Sequence, residues 1–365
     1  MIDLQLKVDP FPIVEPLVIR LQTVQASRFP AASENDAMLV YHDENIADFD
    51  VGGFSLRVHT TDAQSLDGDV VLVTPGRNTL HRLIRASSRH NTLLITEQCD
   101  QKCIMCSQPP KKHHTDLFDY FLQAVLLAPA QTTIGLSGGE PLLHKARLFE
   151  FLEKAQSARP DIRFHILTNG QHFDKRDRTS LSALNMRSIL WGVPIYAANA
   201  AAHDQIVVKA GAHKTLQKNL AILGTCGAVL ELRTVLLNSN VLHLEDLANH
   251  ITKHQSFASV WAIMQLENIG YARMNWDREF YDSSFSFVDV AKAIDLATGR
   301  GMETLLYNFP LCSVPSEYRR FCVASISDWK QKYLSTCDGC SLRSTCTGFF
   351  EWYSENKGFK GIVAQ

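Results

Sequence analysis

The sequence lacks the features that would mark a membrane-spanning or a nucleic-acid-binding protein. No apolar run approaches the roughly 18 residues that a membrane span needs, and the first ten residues, MIDLQLKVDP, have no basic segment before an apolar run. The formal net charge is only −2, so bulk electrostatics predict no attraction to nucleic acid. We therefore expect a globular protein of the cytoplasm, with neither a membrane nor a nucleic acid as partner.

The chain does contain nine cysteines, and they are unevenly distributed. One group is Cys99, Cys103 and Cys106, a second is Cys337, Cys340 and Cys346, and three stand apart: Cys226, Cys312 and Cys322. In a reducing compartment, clustered thiols are more often metal ligands or redox groups than disulfides. The sequence therefore predicts two metal centres.

Hydrophobic patterning predicts an α/β protein in three parts. Residues 1–88 contain short strand-like runs between polar turns and predict a small β-rich N-terminal domain. Residues 89–300 alternate strand-like runs with helix-length amphipathic segments, the pattern of parallel βα units. The six strand-like runs are NTLLITEQ, TTIGLSG, RFHILTN, SILWGVPIY, VLELRTVLL and SVWAIMQLE. Six units fit a partial (β/α)6 barrel, and residues 301–365 are expected to be a cysteine-rich C-terminal extension stapled by metal.

The first cysteine group has C-x3-C-x2-C spacing and directly follows the first predicted barrel strand. In a barrel of parallel strands, the carboxyl ends of the strands are where active sites are built. Three thiolates can hold three irons of a [4Fe-4S] cluster and leave the fourth iron open to a substrate. The alternative is a zinc site, for which His113 or His114 could be the fourth ligand.

A second motif, GLSGGEP, ends the second predicted strand. Gly138 and Gly139 allow the backbone to approach a ligand closely, and the Glu140 carboxylate could accept hydrogen bonds from an ammonium group. A lone GGEP could be a mere turn. One βα unit after the cysteines and at the same end of the barrel, it is better explained as a ligand site.

These two motifs resemble the signature of the radical S-adenosylmethionine (SAM) superfamily, and Thr168-Asn169-Gly170 resembles the TNG that often ends the third strand of its members. The resemblance implies a radical SAM barrel, a [4Fe-4S] cluster on the first cysteine group, SAM as cosubstrate or cofactor, and hydrogen abstraction by a 5'-deoxyadenosyl radical. The residues that it implies as SAM contacts are Met105, Gly138, Gly139, Glu140, Pro141, Thr168, Asn169 and Arg233.

Three positions keep alternatives open. Many members end the fourth strand with a serine and an acid, whereas this chain has Gly192-Val193-Pro194-Ile195-Tyr196, which leaves the ribose contacts undefined. Arg233 is either a partner for the SAM carboxylate or a structural arginine at the barrel rim. Glu267, at the end of the sixth strand, faces either ligand or solvent.

Longer runs resemble the His-Xaa-Ser system radical SAM maturases of the HxsC type: TEQCDQKCIMCSQPPK, GLSGGEPLL, YNFPLC, SISDWKQKY and CDGCSLRSTCTGFF. This resemblance implies modification of a ribosomally made peptide or protein with His-Xaa-Ser repeats. It also implies a second radical SAM maturase, a small accessory protein, and an electron donor such as flavodoxin or ferredoxin. The alternatives are a radical SAM enzyme that acts on RNA or a small metabolite, and a cluster-bearing scaffold or electron carrier for a second maturase.

The second cysteine group has C-x2-C-x5-C spacing and needs a fourth ligand. Cys312 is preferred over Cys322 because Leu311-Cys312 lies in the maturase-like run YNFPLC. Four thiolates suit an auxiliary [4Fe-4S] cluster without an open iron or a tetrahedral zinc. We favour the iron–sulfur cluster, since auxiliary clusters are common in the peptide-modifying members that the chain resembles.

Overall fold

A computed structural model describes residues 3–23 and 34–365 of the chain. Residues 1–2 and 24–33 of the predicted N-terminal domain lie outside this description. The described residues contain a seven-stranded sheet, an eight-stranded sheet and a two-stranded ribbon. The first two correspond to the β-rich N-terminal part and to the βα-repeat region that the sequence predicted.

The seven-stranded sheet has the order β1-β7-β6-β2-β3-β4-β5. Antiparallel pairing predominates, and a bridge between Val8 and Val58 brings the chain after β1 against β5, so the sheet nearly closes on itself. The β4–β5 hairpin turns through Gly52 and Gly53, whose φ angles of 60° and 91° favour glycine. The strands are β1 (Gln5–Lys7), β2 (Leu17–Gln22), β3 (Asp36–His42), β4 (Ile46–Val51), β5 (Phe54–His59), β6 (Val70–Val73) and β7 (Thr79–Ile84).

The eight-stranded sheet is parallel throughout, and its strands lie side by side in chain order. It is the partial barrel that the sequence predicted, with β8 and β15 as its two edges. Two strands beyond the expected six extend it, because the chain after residue 300 pairs with β13. The strands are β8 (Asn91–Thr96), β9 (Thr133–Gly138), β10 (Arg163–Leu167), β11 (Ile189–Pro194), β12 (Val229–Val235), β13 (Val260–Met264), β14 (Glu303–Tyr307) and β15 (Cys322–Val323).

Amphipathic helices lie between the strands of this sheet. In α6 the residues Leu244, Leu247, Ala248 and Ile251 are buried, the spacing of a helix with one apolar face. The helices are α1 (Phe118–Leu127), α2 (Lys145–Ala158), α3 (Asp177–Ala183), α4 (Ala200–Val207), α5 (Ala212–Thr225), α6 (Leu244–His254), α7 (Gly270–Glu279) and α8 (Val288–Gly299). The ribbon near the C-terminus pairs β16 (Gln331–Lys332) with β17 (Phe349–Phe350).

The N-terminal sheet buries apolar side chains on both faces. One face shares an internal core that includes Phe49 and Leu56. The other face packs Val18 and Leu72 into the same core as Phe121 of α1. The two sheets are therefore joined by a hydrophobic contact. No helix among residues 3–23 and 34–365 is long and apolar enough to cross a membrane.

Candidate active site

An open cleft lies at the carboxyl ends of the parallel strands. Each successive βα unit contributes to its wall, which is the arrangement that barrels use to assemble active sites. The lining residues used below are Cys99, Cys103, Met105, Cys106, Gly138, Gly139, Thr168, Asn169, Tyr196, Arg233 and Glu267. The cleft therefore brings together the first cysteine group, the two glycines of GGEP, the Thr-Asn of TNG, and Arg233.

The cysteine loop that follows β8 is held by its own backbone and by α4 and α7. The amide of Cys106 donates to the carbonyl of Cys103 at 3.0 Å, and the amide of Ile104 donates to the carbonyl of Ile206 at 3.0 Å. At Gly270, where φ is 60°, a Cβ atom would lie 2.5 Å from the Cys106 carbonyl oxygen. Glycine is required there because α7 begins directly against the loop.

The three thiols of this loop are partly buried. Burial raises the pKa of Cys99 to about 11 and the pKa of Cys103 to about 12, and it also raises the pKa of Cys106. The metal-free thiols are therefore protonated at neutral pH. Because metals bind thiolates, loading this site must release protons.

The donor set suits a cluster better than a single ion. Within the described residues, no group of three or more His, Cys, Asp or Glu side chains converges as a single-ion site would require. A cubane cluster binds each cysteine through a different iron, so its thiols need not converge on one point. His113 and His114 do not line the cleft, and the His114 ring stacks on His144 at 3.7 Å. Neither histidine offered as a fourth zinc ligand thus shares the cleft with the three thiols.

Both glycines of GGEP lie against the chain that leaves β8. The amide of Gly139 donates to the carbonyl of Thr96 at 2.7 Å. A Cβ atom would lie 2.1 Å from the Thr96 oxygen if added at Gly138, and 2.0 Å from the Gln98 oxygen if added at Gly139. Any larger residue would push the two loops apart, so these glycines let the backbone form the cleft wall.

Glu140 lies behind the cleft wall, in contrast to its predicted contact with a ligand amino group. It is 0% exposed, and Pro141 beside it is also buried. The Glu140 carboxylate accepts hydrogen bonds from the Leu142 amide at 2.9 Å, the Thr168 hydroxyl at 2.7 Å and the Asn169 amide at 2.5 Å. Three donors of its own chain surround the carboxylate, so it joins the GGEP and TNG loops and does not face the cleft.

Asn169 connects the cleft to a polar network that the sequence analysis missed. Its side-chain nitrogen lies 2.8 Å from Asp100 Oδ1 and 4.0 Å from Cys99 Sγ. Asp100 also pairs with His172 at 3.2 Å and with Lys209. Burial raises the pKa of Asp100, but its hydrogen bonds to these partners outweigh burial and hold the pKa well below its usual range. The available signal was the position of Asp100 next to the first cysteine.

The segment that builds this half of the cleft also matches a known family. Residues 93–222, from β8 into α5, match the radical SAM superfamily. The chain contains a radical SAM domain. The match includes the cysteine loop, GGEP and TNG. No curated protein is significantly similar to the chain in sequence.

Solved structures with partial likeness to the chain include SuiB and methylornithine synthase. SuiB of Streptococcus suis bound to S-adenosylmethionine is 14% identical over 59% of this chain and 49% of SuiB, with a TM-score of 0.47. SuiB bound to the precursor peptide SuiA is 14% identical over 61% of this chain and 49% of SuiB, with a TM-score of 0.49. Methylornithine synthase (PylB) is 11% identical over 60% of this chain and 63% of its own, with a TM-score of 0.43. The chain thus spans about half the length of SuiB.

Further side chains complete the cleft around the radical SAM domain. Met105 is 7% exposed, and Tyr196, also buried, lies where the ribose contacts were left undefined. Arg233 lines the cleft, with 17% of its side chain exposed. Glu267 faces the cleft from the end of β13, and its carboxylate lies 3.7 Å from the Lys330 ammonium of the C-terminal extension. Burial raises the pKa of Glu267.

A separate small cavity lies in the C-terminal extension that follows the radical SAM domain. Four thiols line it: Cys312, Cys337, Cys340 and Cys346. Cys322 does not line this cavity. The amides of Leu311 and Gly348 donate to Cys346 Sγ at 3.3 Å and 3.4 Å. Hydrogen bonds to sulfur are one of the means by which proteins tune iron–sulfur clusters.

Proposed function

We propose that this chain is a radical SAM enzyme that abstracts hydrogen from a ribosomally made peptide. The observation that carries the proposal is that three thiols and the Gly138-Gly139 backbone line one cleft, within the radical SAM domain. When bound together, the [4Fe-4S] cluster and SAM supply the 5'-deoxyadenosyl radical, and the protein supplies placement and exclusion of water.

The roles of the chain's own residues follow from their positions. Cys99, Cys103 and Cys106 hold the cluster. We assign the contact with the SAM amino group, predicted for Glu140, to the backbone of Gly138 and Gly139, because Glu140 is buried behind them. The Arg233 guanidinium binds the SAM carboxylate, as arginine is suited to do. Other contacts to SAM come from Met105, Thr168 and Asn169, all of which line the cleft.

The proposal is tested by anaerobic reconstitution with iron and sulfide. Wild type is compared with a variant in which Cys99, Cys103 and Cys106 are all replaced by alanine. We expect about eight irons in wild type and about four in the variant, because each [4Fe-4S] cluster holds four. Dithionite-dependent release of 5'-deoxyadenosine from SAM should occur only in wild type.

Cys226→Ala is the matched control, since Cys226 lines neither thiol site. It should retain full iron content and SAM cleavage. If wild type binds the expected iron but releases no 5'-deoxyadenosine, even with a candidate peptide present, the chain acts as a scaffold or electron carrier and the enzymatic proposal fails. Zinc at the second site would give that site a purely structural role.

The peptide part of the proposal rests on the maturase-like runs and on where the structure places them. The run SISDWKQKY contributes Lys330, which pairs with Glu267 at the cleft. The runs YNFPLC and CDGCSLRSTCTGFF supply the four cysteines of the second cavity, the proposed auxiliary [4Fe-4S] site. Segments that the superfamily does not require thus border the cleft or build the second site.

This part is tested by mass spectrometry of a synthetic His-Xaa-Ser repeat peptide after incubation. The reduced enzyme is supplied with SAM, flavodoxin or ferredoxin, and with the second maturase and accessory protein where these are encoded beside it. We expect a change in the peptide's mass or fragmentation that depends on SAM. An unchanged peptide under all these conditions would refute the peptide assignment and favour RNA or a small metabolite.

The N-terminal sheet is proposed to be a recognition or docking domain for the peptide or a partner protein, in a cytoplasmic enzyme. Val18 and Leu72 pack against the barrel, so deletion of the sheet would expose the core. Substitutions on its outer surface are a cleaner test, for example Tyr41→Ala and Phe54→Ala, at residues that are 53% and 61% exposed. They should weaken peptide binding and spare SAM cleavage; unchanged peptide binding would leave this surface without such a role.

A further inference from the structure

A buried polar network lies inside the barrel, on the strands below the cleft. Its centre is Glu231 of β12, whose side chain is 1% exposed. The Glu231 carboxylate pairs with Arg233, lies 3.3 Å from His165 Nε2, and accepts a hydrogen bond from the Tyr307 hydroxyl at 3.1 Å. The three partners come from three strands, so the network spans the barrel from β10 to β14.

The strand pattern explains how these side chains meet. Glu231 and Arg233 are two residues apart on one strand and therefore point to the same face of the sheet. His165 and Tyr307 approach that face from strands on either side of β12. Gly192, on the intervening β11, leaves the necessary space: a Cβ there would lie 3.0 Å from His165 Nε2 and 3.1 Å from Arg233 Cδ.

The electrostatics show that the Glu231 carboxylate stays charged. Burial alone would raise its pKa, but Arg233 and His165 outweigh burial and lower the pKa to about 2. A buried charge is tolerated only when it is paired and hydrogen-bonded. Tyr307 contributes twice, because its hydroxyl donates to Glu231 and the Arg233 guanidinium lies 5.9 Å from the centroid of its ring.

Arg233 has more donors than this network uses. A guanidinium carries five N–H donors, and among the described residues the hydrogen bond of Arg233 runs from Nη1 to Glu231. Arg233 also lines the cleft, and 17% of its side chain is exposed. An arginine fixed on one edge, with free donors on the cleft side, is arranged to receive a carboxylate through two parallel hydrogen bonds.

We infer that Glu231 is a positioning residue, which together with His165 and Tyr307 holds the Arg233 guanidinium in the orientation that binds the SAM carboxylate. This inference rests on the proposed function. Without the network, Arg233 would have to be ordered when the ligand binds, and each immobilised side chain of this kind weakens affinity by roughly threefold to tenfold. The network orders Arg233 before SAM arrives.

The test measures the Kd of SAM for the reconstituted, unreduced protein, in which SAM is bound and not cleaved. The variants are Arg233→Ala, Glu231→Gln and Tyr307→Phe, and the control is Glu303→Gln, which removes an exposed carboxylate from β14. We expect roughly tenfold or more weakening for Arg233→Ala and about fivefold for each network variant. The control should not change the Kd.

Two comparisons separate positioning from general structural damage. Decarboxylated SAM lacks the carboxylate, so its Kd should be the same in wild type and in the network variants. The double variant Arg233→Ala/Glu231→Gln should bind SAM no more weakly than Arg233→Ala alone, since residues that act through one another are not additive. Tyr307→Phe keeps the ring and tests the inference if the Glu231 variant does not fold.

The outcomes distinguish this inference from the proposed function. If wild type binds no SAM, both fail. If wild type binds SAM and the network variants bind it equally well, or lose affinity for decarboxylated SAM to the same extent, Glu231 does not act through Arg233 on the carboxylate. Multiplied losses in the double variant would overturn the inference in the same way.

Discussion

Replacement of Glu140 by alanine should destabilise the folded protein, because the structure makes this carboxylate an internal support. It accepts hydrogen bonds from the amides of Leu142 and Asn169 and from the Thr168 hydroxyl, and it is fully buried. Each buried donor left without a partner costs about 1–3 kcal/mol. The cost of burying the carboxylate itself offsets part of this sum, so we expect a net loss of about 3–5 kcal/mol from the three donors together.

The assay is anaerobic urea unfolding at pH 7 of wild type, Glu140→Ala and Glu140→Gln. The glutamine variant keeps one acceptor oxygen and places an NH2 group towards a backbone or hydroxyl donor, so it should lose roughly 1–3 kcal/mol. Glu153→Ala is the control, because Glu153 is exposed on α2. Its effect should stay within about 0.5 kcal/mol, as is usual for surface substitutions.

The same experiment includes the result that would refute this reasoning. Had Glu140 contacted the amino group of SAM, as the sequence analysis expected, Glu140→Ala would unfold at the wild-type urea concentration and lose only SAM affinity. Stability and the Kd of SAM must therefore be measured on the same variant. A stable Glu140→Ala protein with weak SAM binding would return this residue to the ligand site.

Three further substitutions test other parts of the structure. Gly139→Ala should lower Tm and weaken SAM binding, because the added Cβ would lie 2.0 Å from a backbone oxygen. The control Gly299→Ala should change neither, because its Cβ would meet no atom within 4 Å. Equal Tm values for the two variants would contradict this packing of the loops. Cys312→Ser should bind about four fewer irons than wild type on reconstitution, while Cys322→Ser should bind as many as wild type. The opposite result would make Cys322 the fourth ligand of the second site in place of Cys312. Burial lowers the pKa of His203 from 6.5 to about 4, so its contribution to stability is present above pH 6.5 and is lost as the pH falls towards 4. From pH 7.5 to pH 5 this lowers the free energy of unfolding of wild type by about 2 kcal/mol. In urea unfolding, the free energy of unfolding of His203→Phe should fall by that much less over the same pH range; an equal fall in both proteins would refute the lowered pKa of His203.

Periodicity predicted most of the fold because most of its elements are long and regular. The six strand-like runs of the βα region all form strands of one parallel sheet, and amphipathic helices lie between them as expected. The strand Glu303–Tyr307 was included in the C-terminal extension instead. Its sequence, ETLLY, does not alternate between polar and apolar residues, and its place in the sheet depends on α8 returning the chain beside β13.

The site was predictable where spacing carries the chemistry. Three cysteines at fixed intervals after a strand predict that their side chains share one loop, and the structure places all three in one cleft. Glu140 shows where such reasoning ends, because two of its three donors, at Thr168 and Asn169, lie 28 and 29 residues further along the chain. A carboxylate after two glycines has the same sequence pattern whether it faces a ligand or a neighbouring loop.

Glu140 and Glu231 together suggest how the acidic residues of this barrel contribute to ligand binding. Each carboxylate is almost completely buried and bonded to groups of its own chain, and each adjoins a group that does line the cleft. Glu140 fixes the loops of Gly139 and Asn169, and Glu231 holds Arg233. Replacing either acid should therefore impair SAM binding without removing a ligand contact. Loss of activity in such variants therefore cannot by itself identify a ligand residue, and stability must be measured beside the Kd of SAM on the same variant.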